Sequence, residues 1–280
     1  MGYPTLTSTA ALFVFACLLF VSVESQATIK DIDPNSRPTL LLTGDSLTEL
    51  GADPSRMGWV SLLQNDYIRT ADVIVRGVSG YNTKWFLNNV LPTIEEELTS
   101  NKYAIPSLIT LWLGTNDAVL TNGSNPEMHV PVTNYKENLV KIVNGFQKLA
   151  PDAAILLITP AHVDDGARIN SERNDTKRGL VDRSNAVTSN YSQACVEVAG
   201  TLDVPVLDLN AHFNAMAQPE RNAFLLDGLH YNAEGNKVVH ELLQSKINSD
   251  FPTLSERLST WQSPAASKWA AEDPWTAATP

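Results

Sequence analysis

Cysteine is almost absent: the 280-residue chain has two, Cys17 and Cys195. Cys17 falls in an N-terminal apolar segment that a secretory leader would carry away, so Cys195 stands alone and no disulfide framework is expected. Its place on the apolar face of a helical pattern assigns Cys195 to packing, as a buried thiol. Basic side chains are scarce as well, with 20 Lys and Arg against 31 Asp and Glu, a formal net charge of −11. Phosphate backbones are held by clustered Lys and Arg, so this balance argues against nucleic acid and favours a neutral small molecule over an anionic surface. Charged residues make up only 18% of the chain and apolar ones 43%. That composition excludes global disorder and supplies a core, and the length suits one α/β domain.

No apolar run reaches the roughly 20 residues that span a bilayer. The longest, Ala11 to Val23, is broken only by Ser22 and gives way to a polar stretch at Glu24. Small residues around Val23-Glu24-Ser25 suit cleavage after Ser25, which predicts a signal peptide over 1–25 and delivery to the secretory pathway or the cell exterior. No stable membrane span is expected after cleavage. No Lys or Arg precedes the run, so an uncleaved N-terminal anchor and an intracellular chain are the alternatives.

Several chemical signatures are missing too. There is no Gly-x-Gly-x-x-Gly and no Walker-type phosphate loop, which leaves nucleotide chemistry unsupported. His129, His162, His212 and His240 are scattered without zinc-like spacing, and no His-Glu-x-x-His occurs, so neither a metal nor another cofactor is expected. Of these four, His162, just after Thr159-Pro160, is the one placed to reach a substrate pocket. The Gly-x-Ser-x-Gly elbow of ordinary α/β-hydrolases is absent as well.

What remains is regular. Short apolar runs at Thr39 to Leu42, Val73 to Val75, Ser107 to Leu113, Ala153 to Thr159 and Val204 to Leu207 read as five buried strands. Between them, apolar residues recur at spacings of three and four: Trp59, Leu63, Tyr67; Leu87, Leu91, Ile94, Leu98; Tyr135, Leu139, Ile142, Phe146, Leu149; and Val187, Tyr191, Ala194, Val198. A last helical stripe runs through Val238, Val239, Leu242 and Leu243. Pro92 predicts a kink or two short helices in the second pattern. Alternation of this kind predicts a three-layer α/β/α sandwich on a five-stranded parallel sheet, flavodoxin-like in strand order. The pattern stops at Phe251-Pro252, so the domain is expected over 26–251, followed by a partly disordered Pro- and Trp-containing tail over 252–280.

Three glycine-bearing loops follow consecutive strands: Gly44-Asp45-Ser46-Leu47, Arg76 to Thr83 with Gly80 in it, and Gly114-Thr115-Asn116-Asp117. Taken singly each is an ordinary turn, and Asn116 an ordinary helix cap. In an open α/β sheet, however, all three would converge outside the strand carboxyl ends, where ligands bind. Asp227-Gly228-Leu229-His230 near the end of the domain adds an imidazole and a carboxylate. A serine hydroxyl becomes a nucleophile at neutral pH when an imidazole takes its proton and a carboxylate fixes the tautomer. Ser46, His230 and Asp227 supply those parts; the amides of Ser46 and Gly80 and the side chain of Asn116 supply an oxyanion hole. Ser79 is a rival nucleophile on a neighbouring loop. Asp227 and His230 alone are too few to hold a metal.

These blocks, in this order, resemble the SGNH or GDSL hydrolase superfamily, whose signature residues match Ser46, Gly80, Asn116 and His230, with Asp227 three before the histidine. The resemblance covers about residues 39 to 251 and implies the same flavodoxin-like sandwich. Arg76-Gly77, Gly80-Tyr81, Trp85, Leu226 to His230 and Gly235 are similar to the isoamyl acetate-hydrolysing esterase group. That implies hydrolysis of short-chain, acetyl-type esters through an acyl-enzyme, with acyl transfer to another alcohol, or lipase and lysophospholipase chemistry, as the related alternatives. A non-catalytic binding protein would be expected to have lost part of the constellation. Oligomeric state is not encoded in any of these features.

Overall fold

A computed structural model describes residues 1–2, 37–169 and 180–260 of the chain. The expected leader at 1–25, except its first two residues, lies outside the described residues, as do Trp261, Trp269 and Trp275.

Five strands, β1 (Thr39–Gly44), β2 (Asp72–Gly77), β3 (Leu108–Trp112), β4 (Ala154–Ile158) and β5 (Val206–Leu207), pair in parallel in the order β2-β1-β3-β4-β5. All five coincide with the apolar runs. Alternate residues of each central strand serve opposite faces: Leu41, Ile109, Leu111, Ile155 and Leu157 join one core, and Leu40, Leu42, Leu108, Trp112, Leu156 and Ile158 the other. Both faces are covered, which explains why these strands read as continuous apolar runs rather than alternating ones.

Among the described residues the α-helices, in chain order, are α1 (Ser46–Glu49), α2 (Trp59–Asp66), α3 (Thr83–Trp85), α4 (Leu91–Thr99), α5 (Val132–Leu149), α6 (Asp165–Arg168), α7 (Asn185–Leu202), α8 (Leu209–Asn214), α9 (Gln218–Asn222), α10 (Ala233–Asp250) and α11 (Pro252–Ser259). The buried stripes of α4, α5 and α7 pack on the first face, and those of α2, α8, α10 and α11 on the second. The chain is thus a three-layer α/β/α sandwich. Its strand order reverses between β1 and β3, and the site opens there.

The second helical pattern divides, as Pro92 led one to expect, into two short helices, α3 and α4, joined by a π-helical turn over Phe86–Val90, with Pro92 in the first turn of α4. One expectation needs adjustment: the domain continues past residue 251. Pro252 opens α11, whose Leu254 and Leu258 are buried against the second core. Two apolar residues four apart are too short a stripe to announce a helix in sequence, and the proline suggested an ending where it marks a beginning.

Candidate active site

Ser46 opens α1 directly beyond β1. Asp45 caps that helix, its Oδ1 accepting the amide of Leu47 at 2.9 Å. Gly44 is required by close packing, since a Cβ there would lie 2.3 Å from Thr48 Oγ1 and 2.6 Å from the Trp112 carbonyl. With that approach allowed, the amide of Asp45 binds the Trp112 carbonyl at 3.3 Å and the amide of Val78 binds the Gly44 carbonyl at 3.0 Å. The three loops are thereby laced together at the carboxyl edge of the sheet.

The partner residues arrive on a tight return between Leu225 and Tyr231, which form an antiparallel bridge. Tyr231 anchors one end in an aromatic cluster, 5.3 Å from Phe213 and 6.3 Å from Trp112 between ring centroids. Within the return, Asp227 Oδ1 accepts the amides of Leu229 at 3.0 Å and His230 at 2.9 Å. This leaves Oδ2 aimed at the ring, 2.9 Å from His230 Nδ1, while His230 Nε2 lies 2.9 Å from Ser46 Oγ. Burial pushes the Asp227 carboxyl up, but the ring and amide of His230 and the charge of Arg168 outweigh it and hold the group well below the usual carboxylate range. Asp227 is therefore an anion, able to keep the proton on Nδ1 and the lone pair of Nε2 facing the hydroxyl.

On the other side of Ser46 stand Gly80 and Asn116. Gly80 adopts φ +79°, a left-handed conformation that favours glycine. The preceding amide, of Ser79, donates to Glu49 Oε2 at 2.6 Å and pins the loop. Among the described residues no acceptor engages the N–H of Ser46 or of Gly80. Asn116 Nδ2 donates to the Tyr81 carbonyl at 2.8 Å and makes only a 3.5 Å contact with Asp45 Oδ2. A cleft of about 460 Å³ opens over these groups, lined among others by Leu50, Asn125, Met128 and Leu229.

Two buried carboxyls underlie the site. Burial pushes Asp45 up to about 6, against the amide of Leu47 and the charges of His230 and Arg183. It pushes Asp117 up to about 7, although Thr83 donates to it through both its amide and its hydroxyl.

Ser46, Asp227 and His230 are thus brought together as one hydrogen-bonded chain, with Gly80 and Asn116 on the same cleft. Ser79 also lines that cleft, but the imidazole bonds Ser46. His162 does not reach the cleft. It is buried, with Nε2 on the Arg221 carbonyl at 2.8 Å and its ring 4.6 Å from Phe213, and burial pushes it down to about 4, so it packs as a neutral ring. His129 faces the Val119 carbonyl and His240 pairs with Asp66. Among the described residues no three His, Cys, Asp or Glu side chains converge to hold a metal, and no helix is long and apolar enough to cross a membrane.

Sequence reasoning missed a buried ionic group beside the cleft. Arg168 grips Asp182 at 3.0 and 2.7 Å, and Arg183 bonds Asp182, the Thr115 carbonyl and Asn116 Oδ1. No spacing or motif marks these three residues, which lie on either side of a stretch without apolar periodicity.

Hydroxyl, imidazole and carboxylate at the carboxyl edge of a flavodoxin-like sheet define an esterase-type site. Residues 42–238 match the GDSL-like lipase/acylhydrolase family. A GDSL esterase/lipase of Arabidopsis thaliana is 36% identical over 217 residues, 76% of this chain and 87% of that protein. The isoamyl acetate-hydrolyzing esterase 1 homolog of Homo sapiens is 32% identical over 233 residues, covering 82% and 90%. In fold, the chain is similar to a lipase/acylhydrolase from Enterococcus faecalis, with TM-score 0.54 and 22% identity over 76% of this chain and 96% of the other. The chain belongs to the GDSL-like lipase/acylhydrolase family, and it is a carboxylic ester hydrolase.

Proposed function

We propose that the protein hydrolyses short-chain, acetyl-type esters through an acyl-enzyme on Ser46. The observation that carries this reading is the unbroken chain of 2.9 Å contacts from Asp227 through His230 to Ser46 Oγ. His230 Nε2 takes the hydroxyl proton as Ser46 Oγ attacks the ester carbonyl. The tetrahedral oxyanion is held by the amides of Ser46 and Gly80 and by Asn116 Nδ2. When the intermediate collapses, the carbon–oxygen bond to the alcohol breaks and His230 returns its proton to the leaving oxygen. Water then enters, gives a proton to the same nitrogen and attacks the acyl carbonyl; as the bond from the acyl carbon to Ser46 Oγ breaks and the acid leaves, His230 returns that proton to Oγ and restores Ser46. Throughout, Asp227 stabilises the imidazolium. No cofactor is needed for any step.

The acetyl-type preference is supported by several relatives of about 30% identity that bear the name isoamyl acetate-hydrolyzing esterase 1 homolog. The test is a p-nitrophenyl ester series of increasing acyl length, run on wild type and Ser46→Ala. Acetate or butyrate preference that vanishes in the variant is expected. A preference for fatty-acyl esters would move the reading to lipase chemistry, and products formed with an added alcohol would identify acyl transfer.

A further inference from the structure

We propose that Arg183 is a positioning residue of this reaction, one that fixes the side-chain amide of Asn116 in the orientation that donates to the oxyanion; the proposal rests on the acyl-transfer reading above. A primary amide can turn end for end, and its oxygen would then face the reacting carbonyl and repel the charge developing there. Two neighbours forbid this. The guanidinium of Arg183 has only donors, so the Asn116 atom it meets through Nη2 is the oxygen. The Tyr81 carbonyl can only accept, so the atom facing it at 2.8 Å is the nitrogen.

Arg183 is itself immobilised. Its Nε donates to the Thr115 carbonyl at 2.9 Å, its Nη1 to the Asp182 carboxylate, and only 5% of its side chain is exposed. Three acceptors lie around one planar fork, a geometry that a lysine ammonium cannot span. Asp182 is clamped in turn by Arg168 through both oxygens, and Arg168 reaches on to the Asp227 carbonyl at 3.1 Å and its carboxylate at 3.6 Å. Charge-assisted bonds therefore run from Asn116 through Arg183, Asp182 and Arg168 to Asp227, tying the oxyanion donor to the acid behind the imidazole. The charge-assisted bond from the guanidinium to the amide oxygen also polarises Asn116 and strengthens its N–H as a donor.

The test is a double-mutant cycle of Arg183→Lys and Asn116→Ala on p-nitrophenyl acetate, with thermal unfolding of every variant. Arg183→Lys should lower kcat about tenfold to a hundredfold with KM within about threefold, the size of a displaced positioning group. In the Asn116→Ala background the same substitution should change kcat by less than about threefold, because the group it positions is gone. Equal losses in both backgrounds, as a merely structural arginine would give, overturn the proposal, and so does an unchanged kcat in Arg183→Lys alone. If Arg183→Lys does not fold, Asp182→Asn is carried through the same cycle and read by the same outcomes. Ser46→Ala is assayed alongside. Turnover that survives in it overturns the acyl-enzyme reading as well; an inactive Ser46→Ala beside equal losses in the cycle overturns the role of Arg183 alone.

Discussion

Exchanging Asp227 for asparagine replaces one carboxylate oxygen by an NH₂ group and should reverse the chemistry of the imidazole. The oxygen that the substitution keeps can still accept the amides of Leu229 and His230, now at 3.0 and 2.9 Å, and the bond from Arg168 to the main-chain carbonyl survives. The return is expected to keep its shape. At the Oδ2 position, 2.9 Å from Nδ1, a donor replaces an acceptor. The ring then turns its Nδ1 lone pair toward the amide and carries its hydrogen on Nε2, facing Ser46 Oγ with a donor where a base is needed. A fully buried carboxylate in such a triad is worth about ten-thousandfold in kcat. The Asp227 side chain is 44% exposed, and water screens its charge and offers the ring an alternative partner. The expected loss is therefore smaller, about a hundredfold to a thousandfold, or roughly 3–4 kcal/mol of transition-state stabilisation. Steady-state kcat on p-nitrophenyl acetate, with unfolding midpoints beside it, measures this. A folded Asp227→Asn enzyme with kcat within about threefold of wild type would refute the tautomer argument.

Two further outcomes follow from burial. Because Asp117 is pushed up to about 7, the folded chain keeps a proton that the unfolded chain releases near its ordinary value of 3.8, and stability is lost as pH rises toward and through 7. Asp117→Asn has no such proton, so relative to wild type it should gain on the order of 2 kcal/mol in urea unfolding between about pH 5 and about pH 8; parallel profiles would contradict the burial argument. Leu254→Ala should cost about 2 kcal/mol or more, as for other buried leucines, while leaving kcat unchanged. Its helix lies at the amino ends of β3 and β4, where Leu254 lines a cavity with Ser107 and Ala154, far from Ser46; an unaffected unfolding midpoint would remove α11 from the fold.

The strands and the glycine loops of the candidate site could be read from the chain because each is local. A run such as Leu40-Leu41-Leu42 carries its own apolar signal, and each glycine turn its own departure from it. The convergence of the three glycine loops, with Ser46, Gly80 and Asn116, then followed from the topology of a parallel sheet; Asp227 and His230, on a return between α9 and α10, were legible from their residue types and from the family resemblance instead. What could not be read depends on contacts between distant segments. His162 follows β4 and looks poised for the cleft, yet its ring is drawn into the Phe213 and Tyr231 cluster by residues far along the chain. The bond from Arg183 to Asn116 joins positions 67 apart, and a lone arginine in a polar stretch is indistinguishable from a solvated one until its acceptors are placed. The raised carboxyls of Asp45 and Asp117 are likewise properties of burial, invisible in a turn sequence.

In the proposed reaction Ser46 carries the acyl group. Mass spectrometry of enzyme quenched in acid during turnover of p-nitrophenyl acetate, followed by peptide mapping, tests it most directly. One acetyl group on the peptide containing Ser46, absent from Ser46→Ala and gone from native enzyme quenched after the substrate is exhausted, is the predicted result. Undiminished turnover in Ser46→Ala, or an acetyl group residing on Ser79 instead, would contradict it.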